Sequence, residues 1–119
     1  MIIKQILTRI CVNEINQTID FYERLTNEKC SNRFEYKKVG LELAVVGNFL
    51  VIAGSEEALI PFRSTTVTFL VDSVNDYKTF LNENGATILR DIQPVPTGFN
   101  MTVMHNDGVI VEYVEHRKV

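Results

Sequence analysis

The feature that most constrains this fold is an order of structural elements that occurs twice along the chain. In each half, the residue patterns predict one strand, one amphipathic helix and then three strands. Three apolar positions match at an offset of 59 residues, namely Val12, Ile15 and Phe21 with Val71, Val74 and Phe80. Because a repeat at a fixed offset usually reflects a duplicated structural unit, the sequence predicts two βαβββ modules in a single domain.

The first predicted module covers residues 1–54. Its first strand is β-branched and apolar, and Asn13 or Asn16 then offers a cap for a helix that runs from Ile15 to about Glu28. Glycine turns separate the later strands, so this half of the chain is typical of a meander. The predicted strands are Ile3–Val12, Arg33–Lys38, Leu41–Val46 and Asn48–Ala53.

The second predicted module covers residues 64–119, after a linker at 55–63 that contains Pro61 and two adjacent glutamates. Ser73 and Asp76 resemble a capping box at the start of the second helix, and Asn84-Gly85 ends that helix. The sequence Asn106-Asp107-Gly108 predicts a hairpin between the last two strands. The predicted strands are Thr65–Val71, Thr87–Arg90, Phe99–His105 and Val109–Glu115.

Composition excludes several classes of protein. The chain has 119 residues, 45% of them apolar, and a net charge of -3 without any basic cluster, so we expect neither disorder nor a nucleic acid partner. No segment approaches the ~20 apolar residues that a membrane-spanning helix needs. Cys11 and Cys30 lack the spacing of redox or zinc motifs, and we expect a cytoplasmic protein with reduced thiols.

Two short motifs resemble those of the vicinal-oxygen-chelate superfamily, which includes glyoxalases, bleomycin-resistance proteins and dioxygenases. The first runs from Val12-Asn13-Glu14-Ile15 into Ile19-Asp20-Phe21-Tyr22, and the second is His105-Asn106-Asp107-Gly108 followed by Val111-Glu112. The resemblance implies an α+β fold in which a mixed sheet curls around a cavity and the helices cover its outer face. By analogy, it also implies a homodimer.

The resemblance also implies four positions for metal ligands, and this sequence departs from that pattern. The positions fall on Leu7, Val51, Thr66 and Glu112, of which Glu112 alone carries a strong ligand. An apolar side chain has no lone pair to donate, and a neutral hydroxyl is a poor ligand for a divalent transition metal. We therefore predict a cavity without a metal or another cofactor.

Because side chains alternate along a strand, one face of each strand is predicted to line the cavity. Arg9 either binds an anionic group of a ligand or is neutralised by Glu112, and Glu112 acts either as a general base or as a structural acceptor. The predicted ligand-binding residues are Arg9, Val51, Thr66, Thr68, Asn100, Thr102, Met104 and Glu112.

Other side chains are assigned less specific roles. Cys11 faces the same cavity, but without a neighbouring histidine it is predicted to be a small buried side chain. His105 and His116 are predicted to lie on the surface. The helix residues Phe21 and Phe80 and the apolar stripe of Ile15, Ile19 and Leu25 are predicted to be core.

These observations support three functional hypotheses. The first is a metal-free protein that binds a small organic ligand, similar to the bleomycin-resistance branch. The second is a metal-dependent lyase, isomerase or dioxygenase with an unforeseen ligand set. The third is a metal-free enzyme with Glu112 as base and Arg9 as an anion anchor. The sequence leaves open whether the protein is an enzyme, and it identifies no catalytic residue.

Overall fold

The structure is a computed structural model that describes residues 1–117. It has the predicted α+β architecture, with helices beside a mixed eight-stranded sheet whose strand order is β2-β3-β4-β1-β5-β8-β7-β6. The strands are β1 (Ile3–Val12), β2 (Cys30–Tyr36), β3 (Leu41–Val46), β4 (Phe49–Ala53), β5 (Val67–Val71), β6 (Thr87–Val95), β7 (Gly98–Met104) and β8 (Ile110–His116). The α-helices are α1 (Ile15–Thr26), α2 (Glu56–Leu59) and α3 (Val74–Glu83).

The chain divides into two compact units that repeat one topology. The first unit comprises residues 8–64, and the second comprises residues 1–7 together with the segment from Thr65 onward. In the first unit β1 runs parallel to β4, and in the second β5 runs parallel to β8. The remaining strands of each unit pair in antiparallel order. The repeated element order predicted from the sequence is therefore confirmed.

The α1 helix begins at a different cap from the one expected. The carboxylate of Glu14, not Asn13 or Asn16, accepts hydrogen bonds from the N–H groups of Asn16 and Gln17 at 3.2 and 3.0 Å. These bonds satisfy two of the donors that a helix N-terminus leaves without partners. The helix ends before Asn27, which adopts a left-handed conformation with φ of 56°.

Each unit has its own hydrophobic core beneath its long helix. In the first unit, α1 packs on β3 and β4 through Ile15 and Ile19. In the second, the cap of Ser73 on the N–H of Asp76 starts α3 as predicted, and Val74, Tyr77 and Leu81 pack against the sheet. Side chains of this apolar face contribute roughly 1.5–3 kcal/mol each when fully buried.

One prediction about local structure was wrong, and one segment contains helices that the sequence analysis did not foresee. The linker at 55–63 contains α2 and a 3-10 helix at Ile60–Phe62, and Leu59 in it is fully buried. Phe21, Leu25 and Phe80 are exposed, not core, with 51%, 60% and 43% of their surface accessible. Phe21 lies about 200° around the helix from Ile19, because each residue of an α-helix advances by about 100°.

Within residues 1–117, no helix has both the length and the apolar character to cross a lipid bilayer.

Candidate functional site

Glu112 lies at the middle of the second unit's sheet, on the face opposite α3. Its neighbours Val111 and Tyr113 pack into the core under α3, so the alternation of β8 turns Glu112 to the other face. In the register of the sheet, Glu112 lies directly opposite Thr68 on β5 and Thr102 on β7. The predicted orientation of β5, β7 and β8 is therefore right.

Both oxygens of the Glu112 carboxylate accept hydrogen bonds from neutral side chains. The Thr68 hydroxyl donates to Oε1 at 2.8 Å, and the Asn100 amide nitrogen donates to Oε2 at 2.9 Å. The amide nitrogen of Gln93 in turn donates to Oδ1 of Asn100 at 3.2 Å. We call this chain of four side chains the Glu112 network, and it fixes the orientation of the carboxylate.

The donors of the Glu112 network are buried although they lie on the face away from α3. Thr68 is 2% exposed and Asn100 is 6% exposed, whereas Glu112 is half-buried. A buried polar group costs free energy unless it is hydrogen-bonded, and each of these side chains has a partner in the network. The carboxylate is thus held by groups whose own positions are fixed by the strands.

Gln93 is a member of the network that the sequence analysis missed. The predicted strand ended at Arg90, but β6 continues to Val95 and places Gln93 directly opposite Asn100 on β7. Proline at 94 is compatible with this strand because β6 is at the edge of the sheet, where an N–H group need not pair. Two shifts of register precede Gln93, so the alternation of the predicted strand could not have assigned its face.

The other predicted residues of the second unit lie where the alternation placed them. Thr66 precedes β5, is exposed, and donates its backbone N–H to the carbonyl of Ile110 at 2.8 Å. Thr102 and Met104 are half-buried and share the face of Glu112. A ligand-binding role for any of them stays a prediction.

Val51 was assigned to the wrong face. It is fully buried in the core beneath α1, with Ile15 and Ala44 among its neighbours. In the β1–β4 register Val51 pairs with Ile10, and Arg9 pairs with Leu50. Arg9 and Leu50 therefore share one face of the sheet, and Val51 lies on the other. We remove Val51 from the candidate site for this reason.

Arg9 belongs to the first unit and is half-buried on the face opposite α1. Its Nε atom is buried, and the residue is not without an interaction partner. The same register places Cys11 on this face, opposite Ile52, as predicted. Both cysteines are free thiols. That Arg9 binds an anionic group or pairs with Glu112 stays a prediction.

The residues at the implied metal positions do not fit a metal ion. Leu7 is an apolar side chain, β4 offers only apolar side chains on either face, and Thr66 offers one neutral hydroxyl. The carboxylate of Glu112 instead accepts from two neutral donors. Among residues 1–117, no group of three or more histidine, cysteine, aspartate or glutamate side chains could hold an ion.

His105 is half-buried, contrary to its predicted surface position. Its Nε2 lies 2.7 Å from the hydroxyl of Tyr113, on the helix side of the sheet. Burial, with a smaller effect of nearby Tyr77, raises the pKa of Tyr113 to about 12. His116 is exposed, and its pKa is lowered by partial desolvation and by the charge of Lys4. The contact between His105 and Tyr113 lies on the face of the sheet opposite to Glu112.

Comparisons with known proteins define the fold. A methylmalonyl-CoA epimerase from Mycobacterium tuberculosis aligns with 99% of this chain and 94% of its own, at 13% identity and a TM-score of 0.75. A hypothetical protein from Bacillus halodurans C-125 aligns with 94% of this chain and 93% of its own, at 20% identity and a TM-score of 0.74. The fold is therefore of the vicinal-oxygen-chelate type.

A hypothetical protein from Methanosarcina mazei is far more similar. It is 55% identical over 100% of this chain and 97% of its own, with a TM-score of 0.94. This chain belongs to the same protein family as that archaeal protein. No model of a described family matches the sequence, and no curated protein matches it.

Proposed function

We propose that this protein is a member of the vicinal-oxygen-chelate superfamily that binds a small organic ligand at Glu112 without a metal ion. The observation that carries the proposal is the pair of hydrogen bonds from Thr68 and Asn100 to the two carboxylate oxygens. A fixed carboxylate among apolar side chains is typical of a small-molecule site, in which a few polar groups orient the ligand.

The chemistry of the site suggests the kind of ligand. An ionised carboxylate is an acceptor only, so the group that it binds is a donor, such as an ammonium, an amide N–H or a hydroxyl. Leu70 on β5 and Val114 on β8 share the face of Glu112 and are apolar. We therefore expect a ligand with an apolar or aromatic body and one N–H or O–H group directed at Glu112.

A second candidate is proton transfer by Glu112 to and from a carbon acid. Its support is the similarity of fold to methylmalonyl-CoA epimerase and the placement of a carboxylate on the face of the sheet away from α3. Both oxygens of this carboxylate already accept a hydrogen bond from a neighbouring side chain, and this fixed orientation suits an anchor for a ligand. Binding without turnover is therefore the function that we put first, in a cytoplasmic protein with free thiols.

The test is a thermal-shift and calorimetric screen of aromatic amines, amides, alcohols and carboxylates, with and without added divalent metals. We expect hits among donor-bearing compounds, an effect that a chelator leaves unchanged, and loss of binding in Glu112→Gln. Glutamine keeps the shape of the side chain and can accept from Asn100, while the Thr68 hydroxyl turns to accept from its amide. Glu83→Gln, at an exposed position on α3, is the matched control.

The screen also separates the candidates. Exchange of a carbon-bound proton of a hit for deuterium, seen by NMR and abolished in Glu112→Gln, would favour proton transfer over simple binding. A stoichiometric gain in stability with one metal, dependent on Glu112, would overturn the metal-free proposal.

A further inference from the structure

The strand β2 is an outermost strand of the sheet, and so is β6 at the other end. An outermost strand presents one row of backbone N–H and C=O groups that no neighbouring strand of its own sheet pairs. The β6 strand carries Pro94 and two shifts of register, which are the usual means of protecting such an edge. The β2 strand is regular from Asn32 to Tyr36, where each residue pairs in sequence with β3.

Phe34 is the middle residue of the regular segment from Asn32 to Tyr36. A shift of register lies between Cys30 and Asn32, and a 3-10 helix begins at Lys37, so five residues are available for pairing. If two copies of the segment pair antiparallel about a twofold axis, Phe34 lies opposite Phe34 of the second copy. Arg33 then lies opposite Glu35 of the second copy, and Glu35 opposite Arg33.

The charges of the segment suit this arrangement. Arg33 and Glu35 are exposed, and both point to the α1 side of the sheet, since Arg33 pairs with the core residue Ala44. Within one copy, Glu35 lies directly opposite Glu42, an unfavourable pair of like charges. Arg33 forms an ion pair with Glu42 at 3.4 Å, and Lys37 reaches Glu35 at 3.9 Å.

A second copy would supply a further cation to this cluster. An open groove of about 470 Å³ runs along the edge and has space for side chains of a partner. The groove is lined by Arg33, Phe34, Glu35, Lys37 and Glu42. We propose that the protein forms a homodimer by antiparallel pairing of β2 with β2 of a second copy, centred on Phe34 and fixed by two Arg33–Glu35 ion pairs.

The first test is the mass of the full-length protein in solution by light scattering and sedimentation, for the wild type and three variants. We expect a dimer for the wild type. Arg33→Glu and Glu35→Arg each place like charges opposite one another twice across the axis, and we expect dimerisation to weaken by roughly tenfold or more. The double variant, with both substitutions, restores opposite charges and should restore the dimer.

Glu35→Arg also provides the control for folding. The new arginine faces Glu42 within the same copy, so we expect the dissociated variant to melt no earlier than a wild-type sample diluted until it is monomeric. Loss of the dimer in this variant therefore reports on the interface and not on unfolding.

The second test measures the register. In a background with Cys11→Ala and Cys30→Ala, oxidised Phe34→Cys should form a covalent dimer, because opposed residues of antiparallel strands have Cα atoms within disulfide range. Tyr36→Cys is the control, since that position would face Asn32. A monomeric wild type at high concentration, a dimer that Glu35→Arg leaves intact, or cross-linking at 36 but not 34 would each overturn the proposal.

Discussion

The amide nitrogen of Asn100 donates to Oε2 of Glu112 at 2.9 Å, while the amide oxygen of Asn100 accepts from Gln93. The amide therefore has one orientation that satisfies both partners. Because Asn100 is buried, it cannot exchange these partners for water at little cost. The orientation of Glu112 depends on this arrangement, and the following substitutions test it.

Asn100→Asp should destabilise the protein in a manner that depends on pH. Two carboxyl groups at hydrogen-bonding distance cannot both ionise easily, so one has a folded-state pKa raised above its unfolded value of about 4. The variant is then most stable below that value and loses stability as pH rises through the raised pKa. Urea denaturation at acidic and neutral pH measures this. An equal loss of unfolding free energy relative to the wild type at both pH values would contradict the hydrogen bond between Asn100 and Glu112.

Thr68→Val should lower the free energy of unfolding by about 1–3 kcal/mol, because the charged carboxylate of the half-buried Glu112 loses its hydrogen bond from the Thr68 hydroxyl. Valine has nearly the shape of threonine, so packing changes little. Thr68→Ser retains the hydroxyl and serves as the matched control. Denaturant unfolding of both variants measures the difference, and a valine variant as stable as the wild type would show that the bond to Oε1 of Glu112 is unimportant.

Tyr113 should remain un-ionised until strongly alkaline pH. Its pKa is raised from 10 to about 12, so its contribution to stability is present below pH 10 and is lost as pH rises through about 12. Burial also raises the pKa of Tyr77, so titration of the phenolate absorbance should show delayed ionisation of more than one tyrosine, and Tyr113→Phe should remove the component near pH 12. Tyr36→Phe is the comparison, and a component near pH 12 that persists in Tyr113→Phe would refute the assignment.

Asp72 should contribute to the stability of the start of β1 at neutral pH but not in acid. Its pKa is lowered, chiefly because its Oδ1 accepts a 2.8 Å hydrogen bond from the backbone N–H of Ile2. A lowered folded-state pKa gives stability that is present above the ordinary value of 3.8 and is lost as pH falls through the folded-state value. Hydrogen exchange of β1 amides should show this loss in the wild type and a smaller one in Asp72→Asn.

Much of the second unit was predictable from the sequence because its strands alternate. In β5, the apolar residues Val67, Phe69 and Val71 alternate with Thr68 and Leu70. Burying the first set under α3 leaves Thr68 on the opposite face, and the same reasoning in β8 orients Glu112. The β4 strand gave no such signal, because Phe49–Ala53 is apolar throughout and both faces of the strand are buried. Val51 was misplaced for that reason.

The sequence by itself determined the order of elements, the bounds of β1 and β3, the helix cap at Ser73 and the face on which Glu112 lies. These depend on periodicity and local hydrogen bonding, which a short stretch of chain encodes. The tertiary structure alone decided that Gln93, Thr68, Asn100 and Glu112 form one network. Their contact depends on the register of strands up to 44 residues apart, which is set by the packing of whole faces and not by any local pattern.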